Sequence, residues 1–253
     1  MRVARVAIVT GASSGMGREI ARLLAKRDDV DRILLIARRE DRLRDVAAEV
    51  MCHAEPQILP LNLADPSAVS EVEKVLSEKK VRVTWLVNAA GFGQIGSFDE
   101  LTLKEQTDML DVNCRALTAM TYTVLPFMRK GAHIVNLASA AAFLPQPRFA
   151  VYAASKSYVL SFSRAIGREL RSRFISVTAV CPGPVDTEFF DIAEKTGEVK
   201  LYKKLMMANC EKVSRGIVRA SAKGKAVYVP TLMMKSMRVG AKLPHGLLIR
   251  FFG

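Results

Sequence analysis

The chain has 253 residues, half of them apolar, and a net charge of +13 from 38 Lys and Arg against 25 Asp and Glu. That length allows a full α/β core to be buried, and no apolar run approaches the roughly 18–20 residues of a membrane-spanning helix. The four cysteines, Cys52, Cys114, Cys181 and Cys210, form no CxxC pair, and the apolar run 6–10 is too short for a secretory signal, so a reduced, cytoplasmic protein is expected. His53, His133 and His245 lack metal-ligand spacing, and no metal site is expected.

Apolar, β-branched runs alternate with helix-length segments along the whole chain. In order, the pattern predicts a strand at 5–10 and a helix at 15–27, a strand at 32–37 and a helix at 40–52, then a strand at 57–61 and a helix at 66–78. There follow a strand at 84–88 with a long helix at 102–129, a strand at 132–137 with a helix at 150–172, and a strand at 175–180. A polar, basic stretch at 187–223 and a last strand at 226–229 complete the pattern. Strands that are apolar without alternation are buried on both faces, which implies a parallel sheet between two helical layers. The expected fold is therefore α/β: one Rossmann-like, doubly wound domain over 1–253, with a crevice beyond the carboxyl ends of its strands.

The first strand closes on TGASSGMG, residues 10–17. Gly11, Gly15 and Gly17 allow a tight turn, and with Ser13, Ser14 and Met16 they would bring backbone N–H groups and a helix N-terminus to a pyrophosphate. After the second strand stands Ala37, followed by Arg38 and Arg39, where an NAD-binding fold would carry a carboxylate for the ribose 2′-hydroxyl. Guanidiniums there pair with a 2′-phosphate, which predicts NADP(H) in preference to NAD(H), with Arg38 as the favoured contact and Ser13 or Ser14 as a hydroxyl donor. Small residues in NAAG, Asn88, Ala89, Ala90 and Gly91, leave room for a flat ring at the sheet edge, with the Asn88 amide bracing a neighbouring strand. The YAASK segment places Tyr152 and Lys156 four residues apart, on one face of a helix.

TGASSGMG (10–17), NAAG (88–91), Asn113 in DVNCRA, Ser139 in VNLAS, YAASK (152–156) and PGPVDT (182–187) occur in an order and spacing that resemble the short-chain dehydrogenase/reductase family over about residues 3–230. The resemblance implies a catalytic tetrad of Asn113, Ser139, Tyr152 and Lys156. Tyr152 would be the general acid/base, Lys156 would lower its pKa and hold the nicotinamide ribose, and Ser139 would bind the substrate oxygen. Asn113 would sit where a local departure from regular helical bonding holds a water linked to Lys156. Pro182, Gly183, Val185 and Thr187 would cover the nicotinamide, and Asn62, with Leu63 beside it, would meet the adenine where the family usually has an aspartate.

The expected substrate is a small-molecule ketone, aldehyde or alcohol, covered by loops at 93–98, 140–149 and about 188–212. Those loops and their flanks hold Phe92, Ile95, Phe98, Phe143, Leu144, Phe149, Phe189, Phe190, Tyr202, Met206 and Met207. Such a lining suits a bulky apolar body of steroid, retinoid or fatty-acyl type, and it equally suits lid packing. From residue 200 to the end, twelve Lys and Arg face one acid, Glu211. The tail at about 231–253 suits docking on its own domain or a neighbouring subunit, an acidic carrier or phosphorylated substrate, or a peripheral contact with an anionic membrane. A homodimer or homotetramer built on 102–129 and 150–172 is expected, as in the family. The alternative is a regulatory protein that senses NADP(H) or binds nucleic acid without turnover; the basic stretch shows no nucleic-acid motif, and nucleic acid is not an expected partner.

Overall fold

The computed structural model describes residues 3–78, 80–189 and 207–241. Seven parallel strands form one sheet in the order β3-β2-β1-β4-β5-β6-β7: β1 Ala4–Thr10, β2 Arg32–Ala37, β3 Glu55–Pro60, β4 Val81–Asn88, β5 Met128–Leu137, β6 Ser176–Val180 and β7 Val227–Tyr228. β3 contains Pro56 and Pro60, which the sheet tolerates because β3 pairs only with β2 and needs no donors on its outer side.

Helices α1 Gly15–Ala25 and α2 Glu40–Val50 lie on one face, with α7 Cys210–Ala222. There Ala7, Val9, Ile33, Leu35, Trp85 and Val87 pack against Ile20, Leu24, Leu43, Val46, Val213 and Ile217. The opposite face carries α3 Ala68–Ser77, α5 Leu117–Val124 and the end of α6 Ala150–Glu169, packed on Val6, Ile8, Leu34, Ile36, Leu86 and Ile134. The strand residues thus alternate between two cores, and each fully buried Ile, Leu or Val contributes about 1.5–3 kcal/mol relative to exposure. The result is a single Rossmann-like domain, as the strand pattern implies.

Two segments differ from the sequence-based expectation. The stretch 102–129 is an interrupted helix. It runs as α4 Leu103–Leu110, a π-helical turn Asp111–Ala116, α5 and a 3₁₀ turn Leu125–Phe127, and β5 already starts at Met128. Thr102 and Glu105 close a reciprocal capping box at its start, and Pro126, which has no N–H to donate, sits in the turn that ends it. Within the basic stretch 187–223, α7 is a true amphipathic helix: Asn209 caps it by accepting from the Lys212 N–H, and Val213, Ile217 and Ala220 face the core. A further helix, α8 Leu232–Gly240, begins the basic tail; residues 190–206 and 242–253 lie outside the described residues. The expected contributions of Phe190, Tyr202 and Met206 fall there.

Candidate active site

The strand order reverses between β1 and β4, so a crevice opens at their carboxyl ends, where Thr10, Asn88 and Asn136 stand side by side in register. Thr10 Oγ1 accepts from the N–H groups of Ala89 (3.1 Å) and Ala90 (3.0 Å), pinning the NAAG turn to the glycine loop. Asn88 Nδ2 donates to Asn136 Oδ1 (2.9 Å) and Thr121 Oγ1 (3.1 Å), and Asn136 donates to Ser163 Oγ (2.9 Å). This buried chain ties β4, β5, α5 and α6 together below the crevice, and the brace expected of Asn88 is part of it.

The glycine loop is built for close approach. Gly15 has φ +51°, and a β-carbon on Gly17 would fall 2.1 Å from the Gly11 carbonyl oxygen. Ser14, the α1 N-cap residue, makes no side-chain cap bond, so the first-turn N–H groups have no capping hydroxyl and suit an anion. Both arginines are exposed, and Arg39 rather than Arg38 engages this loop: Arg39 Nη2 reaches Ser13 Oγ at 3.4 Å. Asn62 is exposed and its Oδ1 accepts from the Ala64 N–H (3.2 Å), whereas the Leu63 side chain is buried among Ile8, Leu34 and Leu86.

Tyr152 and Lys156 are buried on α6, facing the cleft. The phenol ring stacks on Phe149 (centroids 4.2 Å apart) and is flanked by Phe189 (5.6 Å). Burial pushes its pKa up to about 12, opposed by the Ser139 hydroxyl. Lys156 Nζ donates to the Leu137 carbonyl (2.8 Å) and lies 5.6 Å from the Tyr152 ring centre. Burial lowers its pKa to about 8, with the Cys114 and Cys181 thiols acting in the opposite sense. Ser139 follows β5 in extended backbone, and its Oγ accepts from the Ala141 N–H (3.1 Å), opening a short 3₁₀ turn.

Asn113 lies in the π turn, so the expected departure from regular helical bonding occurs at that residue. Its side chain is committed elsewhere: Oδ1 accepts from the Phe92 N–H (3.1 Å), and Nδ2 donates to the Phe92 carbonyl (2.9 Å) and Ser155 Oγ (3.0 Å). Asn113 thereby positions the loop after β4 beside α6.

A cavity of about 270 Å³ joins these groups. Met16, Ala89 and Gly91 line its glycine-loop side, Ser139, Tyr152 and Lys156 its base, and Pro182, Gly183, Val185 and Thr187 its cover. Phe149 and Phe189 complete the apolar wall, as expected from their loops, whereas Phe98 points to solvent and Phe143 packs on the core beneath α8. Met233, Met234 and Met237 also line the cavity, a role that nothing in the tail's composition assigned to them. The described start of the basic tail therefore docks on its own domain: Met234 is buried with Ala138, Ala140, Cys181 and Val229. Among the described residues, no helix is long and apolar enough to cross a membrane, and no cluster of His, Cys, Asp or Glu could hold a metal ion.

The donor set fits a dinucleotide. Uncapped N–H groups and a guanidinium stand at one end, and a lysine with a flat, small-residue shelf stands at the other. Comparison with known proteins agrees. The family model for short chain dehydrogenases matches residues 5–197. Sulfoacetaldehyde reductase 2 of Chromohalobacter salexigens is 36% identical over 188 residues, 73% of this chain and 74% of that protein. A short-chain dehydrogenase of Sphingobium yanoikuyae in complex with NADPH superposes with a TM-score of 0.79 at 27% identity, covering 97% of this chain and 95% of that one. A Burkholderia phymatum member in complex with NAD superposes with a TM-score of 0.83 at 22% identity, over 99% and 96% of the two chains, a likeness of fold. The chain belongs to the short-chain dehydrogenase/reductase family of oxidoreductases.

Proposed function

We propose that this protein interconverts a ketone or aldehyde and an alcohol with a nicotinamide dinucleotide, NADP(H) in preference to NAD(H). The observation that carries the proposal is the convergence of Ser139, Tyr152 and Lys156 on one cavity that is continuous with the glycine loop. The bound nicotinamide supplies or accepts the hydride. Gly11, Ser13, Ser14, Gly15, Met16 and Gly17 would hold its pyrophosphate, and Asn88 to Gly91 with Pro182, Gly183, Val185 and Thr187 would enclose the ring. The Ser139 hydroxyl would donate to the substrate oxygen and fix its position. Tyr152, protonated at neutral pH with its pKa near 12, would give its proton to that oxygen in reduction. In the oxidative direction the phenol must lose its proton, and Lys156, within 5.6 Å of the ring, is the cation that favours the phenolate.

Replacing Tyr152 with Phe keeps the ring stack and removes only the hydroxyl, so turnover of a ketone panel should fall about 10²- to 10⁴-fold while nucleotide binding persists. Undiminished turnover would sink the mechanism. For the cofactor, Arg38→Asp and Arg39→Asp should each be titrated with NADPH and NADH. Arg39→Asp should weaken NADPH by tenfold or more relative to NADH, and equal losses would remove the preference for NADP(H).

The methionine and phenylalanine wall supports a bulky apolar substrate. A short acidic aldehyde is the second reading, supported by the relative named as a sulfoacetaldehyde reductase. A panel that sets hydrophobic ketones against small anionic aldehydes separates the two by kcat/KM. The sensor without turnover finds no support in a family of oxidoreductases. Exposed Leu103, Leu110, Tyr122 and Tyr158 on α4, the π-turn boundary, α5 and α6 support a homo-oligomer packed through those helices, measurable by sedimentation.

A further inference from the structure

Glu188, just after the segment that covers the cavity, reaches back across the crevice to Arg39: Arg39 Nη2 donates to Glu188 Oε2 at 2.9 Å and to Ser13 Oγ at 3.4 Å. Interactions with Arg39 first, and with Arg42 and Ser14 besides, hold the Glu188 carboxyl below the ordinary carboxylate range. One anionic side chain is thus gripped by a guanidinium, with a second arginine and both serines of the glycine loop close by. That donor set suits a phosphate.

Arg39 is also the α2 N-cap residue, where the helix N-terminus adds a further preference for negative charge. Across the crevice, Thr187 packs on Gly15, with its Cγ2 3.1 Å from where a β-carbon there would lie, and Phe189 packs beside the Tyr152 ring. Glu188 therefore sits between the residue that touches the glycine loop and the residue that flanks Tyr152.

We propose that Glu188 is an internal competitor of the cofactor's 2′-phosphate: it occupies the Arg39–Ser13–Ser14 cluster in the nucleotide-free protein, and NADP(H) must displace it. Glu188 is thereby a determinant of cofactor specificity, and it acts by holding the cluster closed rather than by contact with the nucleotide. The proposal rests on the NADP(H) reading above. It predicts that removing the carboxylate charge strengthens the binding of 2′-phosphorylated nucleotides alone. Because the pair is about two-fifths exposed on each side, the gain is modest.

The test is equilibrium titration of wild type, E188Q, R39A and the double variant with 2′,5′-ADP, NADPH and NADH. E188Q should bind 2′,5′-ADP and NADPH about three- to tenfold more tightly, with NADH unchanged within twofold, which also reports intact folding. R39A should lose the 2′-phosphate affinity, and E188Q should then add nothing on the R39A background. Unchanged or weaker NADPH binding in E188Q overturns the competitor. Weaker NADH binding overturns it too, because Glu188 would then be accepting from a ribose hydroxyl.

The NADP(H) reading fails separately, if wild type binds NADH at least as tightly as NADPH and R39A weakens both alike. In that case a gain of 2′,5′-ADP affinity in E188Q would still establish Glu188 as the block, and no gain would overturn both.

Discussion

The two ends of the same sheet are built on opposite principles. At the amino ends of the strands, charges are paired and rings are packed. Arg5 bonds Asp31 through its main-chain N–H and its guanidinium, Arg27 pairs with Asp29 (2.8 Å), and Arg32 pairs with Glu55 (2.7 Å). Trp85 donates to Asp29 (3.2 Å), lies beneath Arg27, and packs its ring 4.2 Å from His133. At the carboxyl ends, backbone N–H groups lack a helix cap, a lysine and a tyrosine are buried with the lysine pKa lowered and the tyrosine pKa raised, so that burial favours the neutral form of each, and small residues leave a cavity. One end pairs most of its charged groups within the chain, which holds the strands in register. The other leaves donors oriented for something outside the chain, and binding and chemistry need that.

The contrast breaks down if substitutions at the two ends behave alike. The largest effect belongs to Tyr152→Phe, which should abolish most turnover without moving the melting temperature. Gly17→Ala comes next. Its β-carbon would meet the Gly11 carbonyl oxygen at 2.1 Å, so the loop must shift, and nucleotide affinity measured by fluorescence titration should fall about 100-fold or more. Wild-type affinity in that variant would show that the loop does not hold the dinucleotide.

Met234→Ala tests the wall formed by α8. Met234 is buried against Ala138, Cys181 and Val229 and lines the cavity, so its truncation should cost about 2 kcal/mol in chemical denaturation. It should also raise KM for bulky ketones more than it lowers kcat. An unchanged KM would remove α8 from the substrate site and leave it a purely structural cover.

The smallest effect is expected at the opposite end. Burial lowers the His133 pKa, offset in part by Asp29 and reinforced by Arg27, and the ring Nδ1 lies 2.7 Å from Ser176 Oγ. A histidine whose folded pKa is depressed is kept neutral in the fold. The unfolded chain therefore takes up a proton first, and stability is lost as the pH falls below the ordinary imidazole value of about 6.5. Melting temperature should drop between pH 7 and 5 by on the order of a degree or two more in wild type than in His133→Gln, with cofactor affinity equal in the two. A larger change in affinity than in melting temperature would contradict the division of labour between the two ends.

Much of this was legible in the residues. Strand apolarity, the glycine spacing and the YAASK helix specified the parallel sheet, the nucleotide loop and the Tyr152–Lys156 pair, because each is a local pattern with one low-energy backbone solution. Asn88 as a brace followed from an amide at a strand end. The reading failed where the signal was not local. The departure from regular helical bonding expected at Asn113 is present as a π turn, but what its side chain meets was not legible: Phe92, 21 residues away, which no local pattern encodes. The apolar face of α7 is diluted by lysine and arginine, and composition alone reads it as a basic stretch.

By itself, then, the sequence determined the fold and the family of this protein. A hydroxyl, a phenol and an ammonium in that order behind a glycine loop leave little choice of fold or family, since backbone periodicity and residue chemistry are properties of short segments. Tertiary structure alone decided which arginine meets the glycine loop, that Glu188 stands opposite it, and that the methionines of a basic tail line the cleft. Those contacts join residues 26 to 149 positions apart, and no periodicity encodes them; they exist only once the sheet has brought the ends of β1, β2 and β6 to the same edge.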